Sequence, residues 1–163
     1  HIINDINGGS EELFKLTKKY NAGLFLMHKR GTPKDMQKKL NPRANMVKEF
    51  DKFIEKRLKI LDKMKFNLKK VWFDPGIGFG KTLNQNLQLM RSLSKYSHKN
   101  LQILLGSSRK SWINFIDPSN ADQRIGGSLA SITHALQQNV NTFRIHDVQE
   151  TNQMIKVLKA LNK

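Results

Sequence analysis

Residues 74–82, DPGIGFGKT, set three glycines, an acid and a lysine directly after the apolar run KVWF. A phosphate loop of the form G-x-x-x-x-G-K-[ST] needs glycine where Pro75 stands. A dinucleotide loop, G-x-G-x-x-G, needs a spacing that Gly76, Gly78 and Gly80 do not have. The stretch is neither of these phosphate cradles. Pro75 biases Asp74 toward an extended conformation, which aims a carboxylate out of a strand end. There it can accept two hydrogen bonds from a planar N–C–N group, or it can simply open a turn and cap the next helix. The glycines, Gly78 among them, let the backbone come close to a ligand, and Phe79 is an apolar side chain on a loop.

Two further clusters follow apolar runs. In GSSRKS, residues 106–111, Arg109 and Lys110 can hold an anionic or carbonyl-bearing ligand, with Ser107 or Ser108 donating. They are also one more pair among 29 basic residues. In TFRIHDV, residues 142–148, a period of two puts Arg144 and His146 on one face. An arginine turned inward is costly unless it meets an anion, so phosphate is the predicted ligand. Asn4, between isoleucines, is a polar side chain in an apolar strand and could serve a ligand or buried backbone. Met27 reads as core by its neighbours, His28 shares the ambiguity, and no two histidines have metal-ligand spacing.

The elements that must position these residues are short apolar runs: HIINDI (1–6), GLFLMH (23–28), KVWFD (70–74), LQILLG (101–106) and TFRIHDV (142–148). They predict about five strands. Helical spacing between them, as in Leu58, Leu61 and Met64 or Met154, Ile155, Leu158 and Leu161, predicts helices over a parallel sheet. Polar residues close every run, which favours a (β/α) barrel, whose site collects groups from many strand ends, over a doubly wound sheet. A full barrel has eight strands and about 250 residues. The sequence has 163 and begins inside an apparent buried strand. The expectation is therefore a partial (β/α)8 TIM barrel, one domain over residues 1–163 with about five of the eight strands, the N-terminal three βα units being absent.

Composition narrows the function. Lys and Arg number 29 against 13 Asp and Glu, a net charge of +16, with 38% hydrophobic residues and no cysteine. The lysines are scattered and lack interleaved aromatics, so they read as solvated helix faces and not as a nucleic-acid surface. No run approaches the roughly 18 apolar residues of a membrane span. Without a signal peptide or disulfide framework, a cytoplasmic location is expected.

Taken in order, IINDINGG, LMHKRGTPKDMQ, DPGIGFGKT, LLGSSRKSWI, R-x-GGSLA from Arg124 and RIHDVQET resemble dihydropteroate synthase, a folate-pathway (β/α)8 barrel, from residue 1 almost to the C-terminus. The resemblance implies condensation of 6-hydroxymethyl-7,8-dihydropterin pyrophosphate with p-aminobenzoate to give 7,8-dihydropteroate and pyrophosphate. It implies that Asn4 and Asp74 hydrogen-bond the pterin, that Met27 packs on it and that Lys110 reaches one of its polar atoms. By the same resemblance Gly78, Phe79 and Ser108 lie near p-aminobenzoate with Arg109 shaping that pocket, and Arg144 and His146 bind pyrophosphate. Lys110, Arg144 and His146 are the implied catalytic residues.

Mg²⁺ is an implied cofactor, contacted by an asparagine of the family's first-strand loop, which this sequence lacks along with the second mobile loop and the third-strand aspartate. No metal ligand is therefore expected among the residues present. Lys29 stands where the family often has methionine or glutamine, a change expected to be mild. A homodimer with small-molecule substrates, and no nucleic acid or membrane partner, completes the expectation. The chain alone is expected to be inactive while the complete barrel is active. The second reading is a non-catalytic pterin-binding remnant of a truncated or split gene.

Overall fold

The computed structural model describes residues 1–31 and 40–162. Part of the LMHKRGTPKDMQ motif, residues 32–37, lies outside the described residues. The strands are β1 (Ile2–Asp5), β2 (Gly23–Met27), β3 (Val71–Asp74), β4 (Gln102–Leu105) and β5 (Thr142–Phe143). Helices α1 (Glu11–Lys19), α2 (Met46–Lys63), α3 (Leu83–Arg91), α4 (Ser94–Ser97), α5 (Ser111–Asn114), α6 (Ile125–Gln137) and α7 (Val148–Leu161) fill the connections. The strands form one parallel sheet in the order β1-β2-β3-β4-β5. Sequential order with a helix at every crossover is how consecutive barrel units are laid down, so the predicted fold class holds.

The alternation of side chains along each strand divides the sheet into two faces. Leu24, Leu26, Val71, Phe73, Ile103 and Leu105 occupy one face and share a core with helix residues Phe14, Phe50, Ile54, Leu61, Leu89, Trp112 and Ala135. Each large buried side chain contributes about 1.5–3 kcal/mol to that packing. The opposite face carries Asn4, Phe25 and Trp72, which follow one another in register across β1, β2 and β3. Phe25 and Trp72 meet edge to face, with ring centroids 5.3 Å apart. Met27 and Asp74 are the register pair at the C-terminal end of that face.

Side chains cap the starts of α1, α2 and α3. Ser10 accepts the N–H of Leu13 at 3.2 Å, and Asn45 that of Lys48 at 3.0 Å. Thr82 and Gln85 form a reciprocal capping box that starts α3 directly after the glycine-rich loop. The Gln85 amide also reaches back to the carbonyls of Asn41 and Ala44, at 2.7 and 3.0 Å.

The last strand is shorter than its sequence suggests. Arg144 still gives its N–H to Leu105 at 3.0 Å. The N–H of His146 goes instead to the Ser108 hydroxyl, at 3.4 Å. The ladder ends because a side chain replaces the next main-chain acceptor, so Arg144 and His146 sit past the strand and not within it.

Candidate functional site

The strand exits gather the polar residues at one end of the sheet. Asp74 is 5% exposed, and its Oδ1 accepts the N–H of Gly76 at 2.7 Å. Burial raises its pKa, opposed by Lys110, that N–H, Lys81 and Arg144 in decreasing order. The structure thus brings Asp74, Lys110 and Arg144 within electrostatic reach of one another. Lys110 donates to the Ile77 carbonyl at 2.6 Å, and its Nζ stands 4.6 Å from the Phe79 ring centroid. Burial pushes its pKa down to about 8, with Asp74 opposing and Arg144 adding to the fall. Gly78 lies beneath: a Cβ there would come 3.5 Å from the Lys110 stem.

The loop 76–80 is wired from below by a residue the sequence did not single out for a role. Lys81 is 3% exposed, and its ammonium donates to the carbonyls of Gly76 at 2.9 Å, Phe79 at 3.0 Å and His28 at 3.1 Å. Three protons meet three acceptors, while burial drives its pKa down to about 7, against the pull of Asp74. Asn86 completes the support by accepting the Gly78 N–H at 2.8 Å and donating to Thr82 at 3.0 Å.

Two of the glycines serve packing within the chain. A Cβ at Gly76, where φ is +64°, would lie 2.0 Å from the His28 carbonyl oxygen, and at Gly80 (φ +68°) 2.4 Å from that of Arg30. The loop after β3 is therefore pressed onto the segment leaving β2. His28 is part of this floor. Its ring lies 5.9 Å from that of Phe50 and 5.5 Å from that of Phe53, and burial, with Lys81 and Arg30 nearby, pushes its pKa down to about 3. It is a neutral core histidine at ordinary pH.

Asn4 is exposed at the sheet edge one strand beyond Phe25, and Met27 is buried beside Asp74. Ser107 is buried, bonded to Ser131 at 2.7 Å, and its carbonyl accepts the indole N–H of Trp112 at 3.0 Å. Ser108, also buried, turns its hydroxyl to His146, 3.1 Å from Nδ1. Arg144 and His146 are both exposed, and Arg144 crosses the end of β4, where a Cβ on Gly106 would be 3.5 Å from its Nε. The Arg109 guanidinium has a carboxylate within the chain, with Nε 3.0 Å from Asp147 Oδ2 and Nη2 on Oδ1. Lys29 donates to Asn7 Oδ1 at 2.6 Å.

The sequence alone assigns no role to R-x-GGSLA. The structure uses its Arg124 and Ser128 to hold the main chain of Arg109, at 3.0 and 2.9 Å. No spacing rule links these positions, because they meet only once α6 packs beside β4. Among the described residues, no group of three or more His, Cys, Asp or Glu is placed to hold a metal ion. No helix among them is long and apolar enough to cross a membrane.

The arrangement joins a dry carboxylate beside a cation, suited to a polar heterocycle, to open cationic donors suited to a polyanion. Residues 1–146 match the family described as pterin binding enzyme. Dihydropteroate synthase of Escherichia coli K12 is 35% identical over 162 residues, 98% of this chain and 57% of that protein. Dihydropteroate synthase of Yersinia pestis, solved as a sulfonamide drug complex, superposes with a TM-score of 0.90 at 32% identity, over 99% of this chain and 59% of that one. The enzyme from Thermus thermophilus in complex with 6HMPPP gives 0.89 at 30%, over 100% of this chain and 65% of that one. The chain spans about half the length of the curated relatives it matches. On the extent of the family match, it belongs to the pterin-binding enzyme family.

Proposed function

We propose that this chain carries the pterin- and pyrophosphate-binding side of a dihydropteroate synthase. The observation that bears most weight is the buried Asp74 carboxylate at the end of β3, flanked by Lys110 and backed by Met27. A carboxylate held away from water gains most from a planar pair of N–H donors, which is what a pterin ring offers. The reading is supported by the Thermus thermophilus relative, solved with 6HMPPP.

In this reading Asn4 and Asp74 hydrogen-bond the ring, Met27 packs against it and Lys110 reaches a polar ring atom. Gly78 and Phe79 flank p-aminobenzoate, while Ser108 orients His146. Arg144 and His146 take the diphosphate. The amine nitrogen of p-aminobenzoate attacks the methylene carbon, the carbon–oxygen bond breaks, pyrophosphate leaves with the electron pair, and the amine loses a proton. Cationic donors aimed at the departing diphosphate supply the stabilisation, and no protein nucleophile is needed. Mg²⁺ belongs to this reading only as the resemblance implies it, with its protein contact on the family's first-strand loop. A cytoplasmic location and a homodimer belong to the same reading.

Calorimetry of the 163-residue chain with 6-hydroxymethyl-7,8-dihydropterin pyrophosphate tests the proposal, with dihydropteroate formation assayed after adding p-aminobenzoate and Mg²⁺. Binding without turnover is expected of this chain alone. Absence of pterin binding would overturn the assignment, and turnover would overturn the expected inactivity. A pterin-binding remnant without catalysis is the second reading. The codons preceding residue 1 separate the two.

A further inference from the structure

Two side chains reach across the exits of β4 and β5, and the proposed chemistry makes no use of either. Arg109 has a left-handed backbone, φ +56°. Its N–H goes to the Ser128 hydroxyl at 2.9 Å, and its carbonyl accepts from Arg124 Nη1 at 3.0 Å. Arg124 is itself anchored on the Ser119 carbonyl through Nη2 at 2.6 Å. The main chain of residue 109 is thus fixed by the start of α6, whatever its side chain does. The guanidinium then closes a two-point contact on Asp147, which is 7% exposed and precedes α7.

This contact is the second of two adjacent rungs. Ser108 meets His146, and Arg109 meets Asp147. The strands beneath supply only two register pairs, Leu104 with Thr142 and Leu105 with Phe143. So short a ladder sets the angle between the exits weakly. A planar, bidentate arginine–carboxylate contact is directional enough to set it.

We propose that Arg109 and Asp147 are positioning residues, an ion pair that fixes the spacing between Lys110 on one exit and Arg144 and His146 on the other. The inference rests on the reading of Arg144 and His146 as the diphosphate site. It reverses a simple electrostatic expectation. Removing the Asp147 charge leaves more positive potential for an anion and frees Arg109. If Arg109 were itself an anion-binding cation, that change would tighten binding. If the pair is a strap, the change loosens it.

The probe is inorganic pyrophosphate, titrated calorimetrically into the full chain and into Asp147→Asn, Arg109→Asp, Asp147→Arg and the reciprocal double variant Arg109→Asp/Asp147→Arg. Aspartate tolerates the left-handed backbone at 109, and asparagine remains an acceptable residue before a helix. Asp147→Asn is expected to weaken binding about fivefold, each charge reversal about tenfold, and the double variant is expected to recover to within about threefold of the parent. Equal or tighter binding by Asp147→Asn overturns the proposal, as does a double variant no better than the product of its two single effects.

Should the parent bind no pyrophosphate, the diphosphate reading fails separately. The strap is then judged on the ligand-free protein, by the amide resonances of Lys110 and His146. Displacement in each single reversal and return in the double variant uphold it, and unmoved resonances overturn it.

Discussion

At the exit of β3 the charged groups are dry. Asp74 is 5% exposed, and every ammonium proton of the buried Lys81 goes to a main-chain carbonyl. At the exit of β5, Arg144 and His146 both face solvent, and His146 is met by the Ser108 side chain of the neighbouring exit. The two regions answer different physical demands. A neutral heterocycle must be recognised by hydrogen bonds whose strength depends on excluding water, so its acceptor is built rigid beforehand. A diphosphate brings its own charge and is drawn to exposed cations that need no burial until it arrives.

Several variants sharpen that contrast. The largest effect is expected from Lys81→Met, which strands three carbonyls in the dry region. It should lower unfolding stability by about 3 kcal/mol, read from urea midpoints. An unchanged midpoint would mean that the loop is held by Asn86 and its glycines alone. Asp74→Asn is expected to leave stability near the parent value and weaken pterin binding about thirtyfold by calorimetry, since an amide presents a donor where the ring presents donors. Arg144→Ala should cost about tenfold in pyrophosphate affinity while moving stability by less than about 0.5 kcal/mol, as befits an exposed side chain. A destabilised Arg144→Ala protein would erase the distinction between the regions.

The smallest effect, read just below neutrality, comes from pH. His28 titrates at about 3 when folded, against about 6.5 when unfolded. Between those values the unfolded chain binds the extra proton, so stability attributable to His28 falls as pH drops from about 6.5 toward about 3. The raised pKa of Asp74 acts in the opposite sense over the upper side of its own range. The measurement is therefore the difference between parent and His28→Gln, followed from pH 7 downward. Parallel curves would remove His28 from the dry floor.

Much of this organisation is legible in the chain itself. The short apolar runs, bounded by polar or glycine-containing segments, find all five strands among the described residues, because strand burial is written locally in such runs. Asp74 and Lys110 are marked by their positions at strand ends. What escapes is cooperation between distant segments. Arg109 and Asp147 lie 38 positions apart, and the Lys81 ammonium meets a carbonyl 53 positions away. Neither pairing leaves a local pattern. The length of β5 escapes too, since alternation continues through Arg144 and His146 although Ser108 has captured the next N–H.

Phe25 and Trp72, edge to face on the side of the sheet opposite the helix-packed core, give the molecule a built-in optical reporter. The chain has two tryptophans, and the other, Trp112, is buried with the helices at 7% exposure while Trp72 is only half-buried. A collisional quencher such as acrylamide should dim Trp72 first. Anything that settles on the open face, from a ligand to a neighbouring polypeptide, then registers as Trp72 emission becoming protected while the Trp112 signal stays constant.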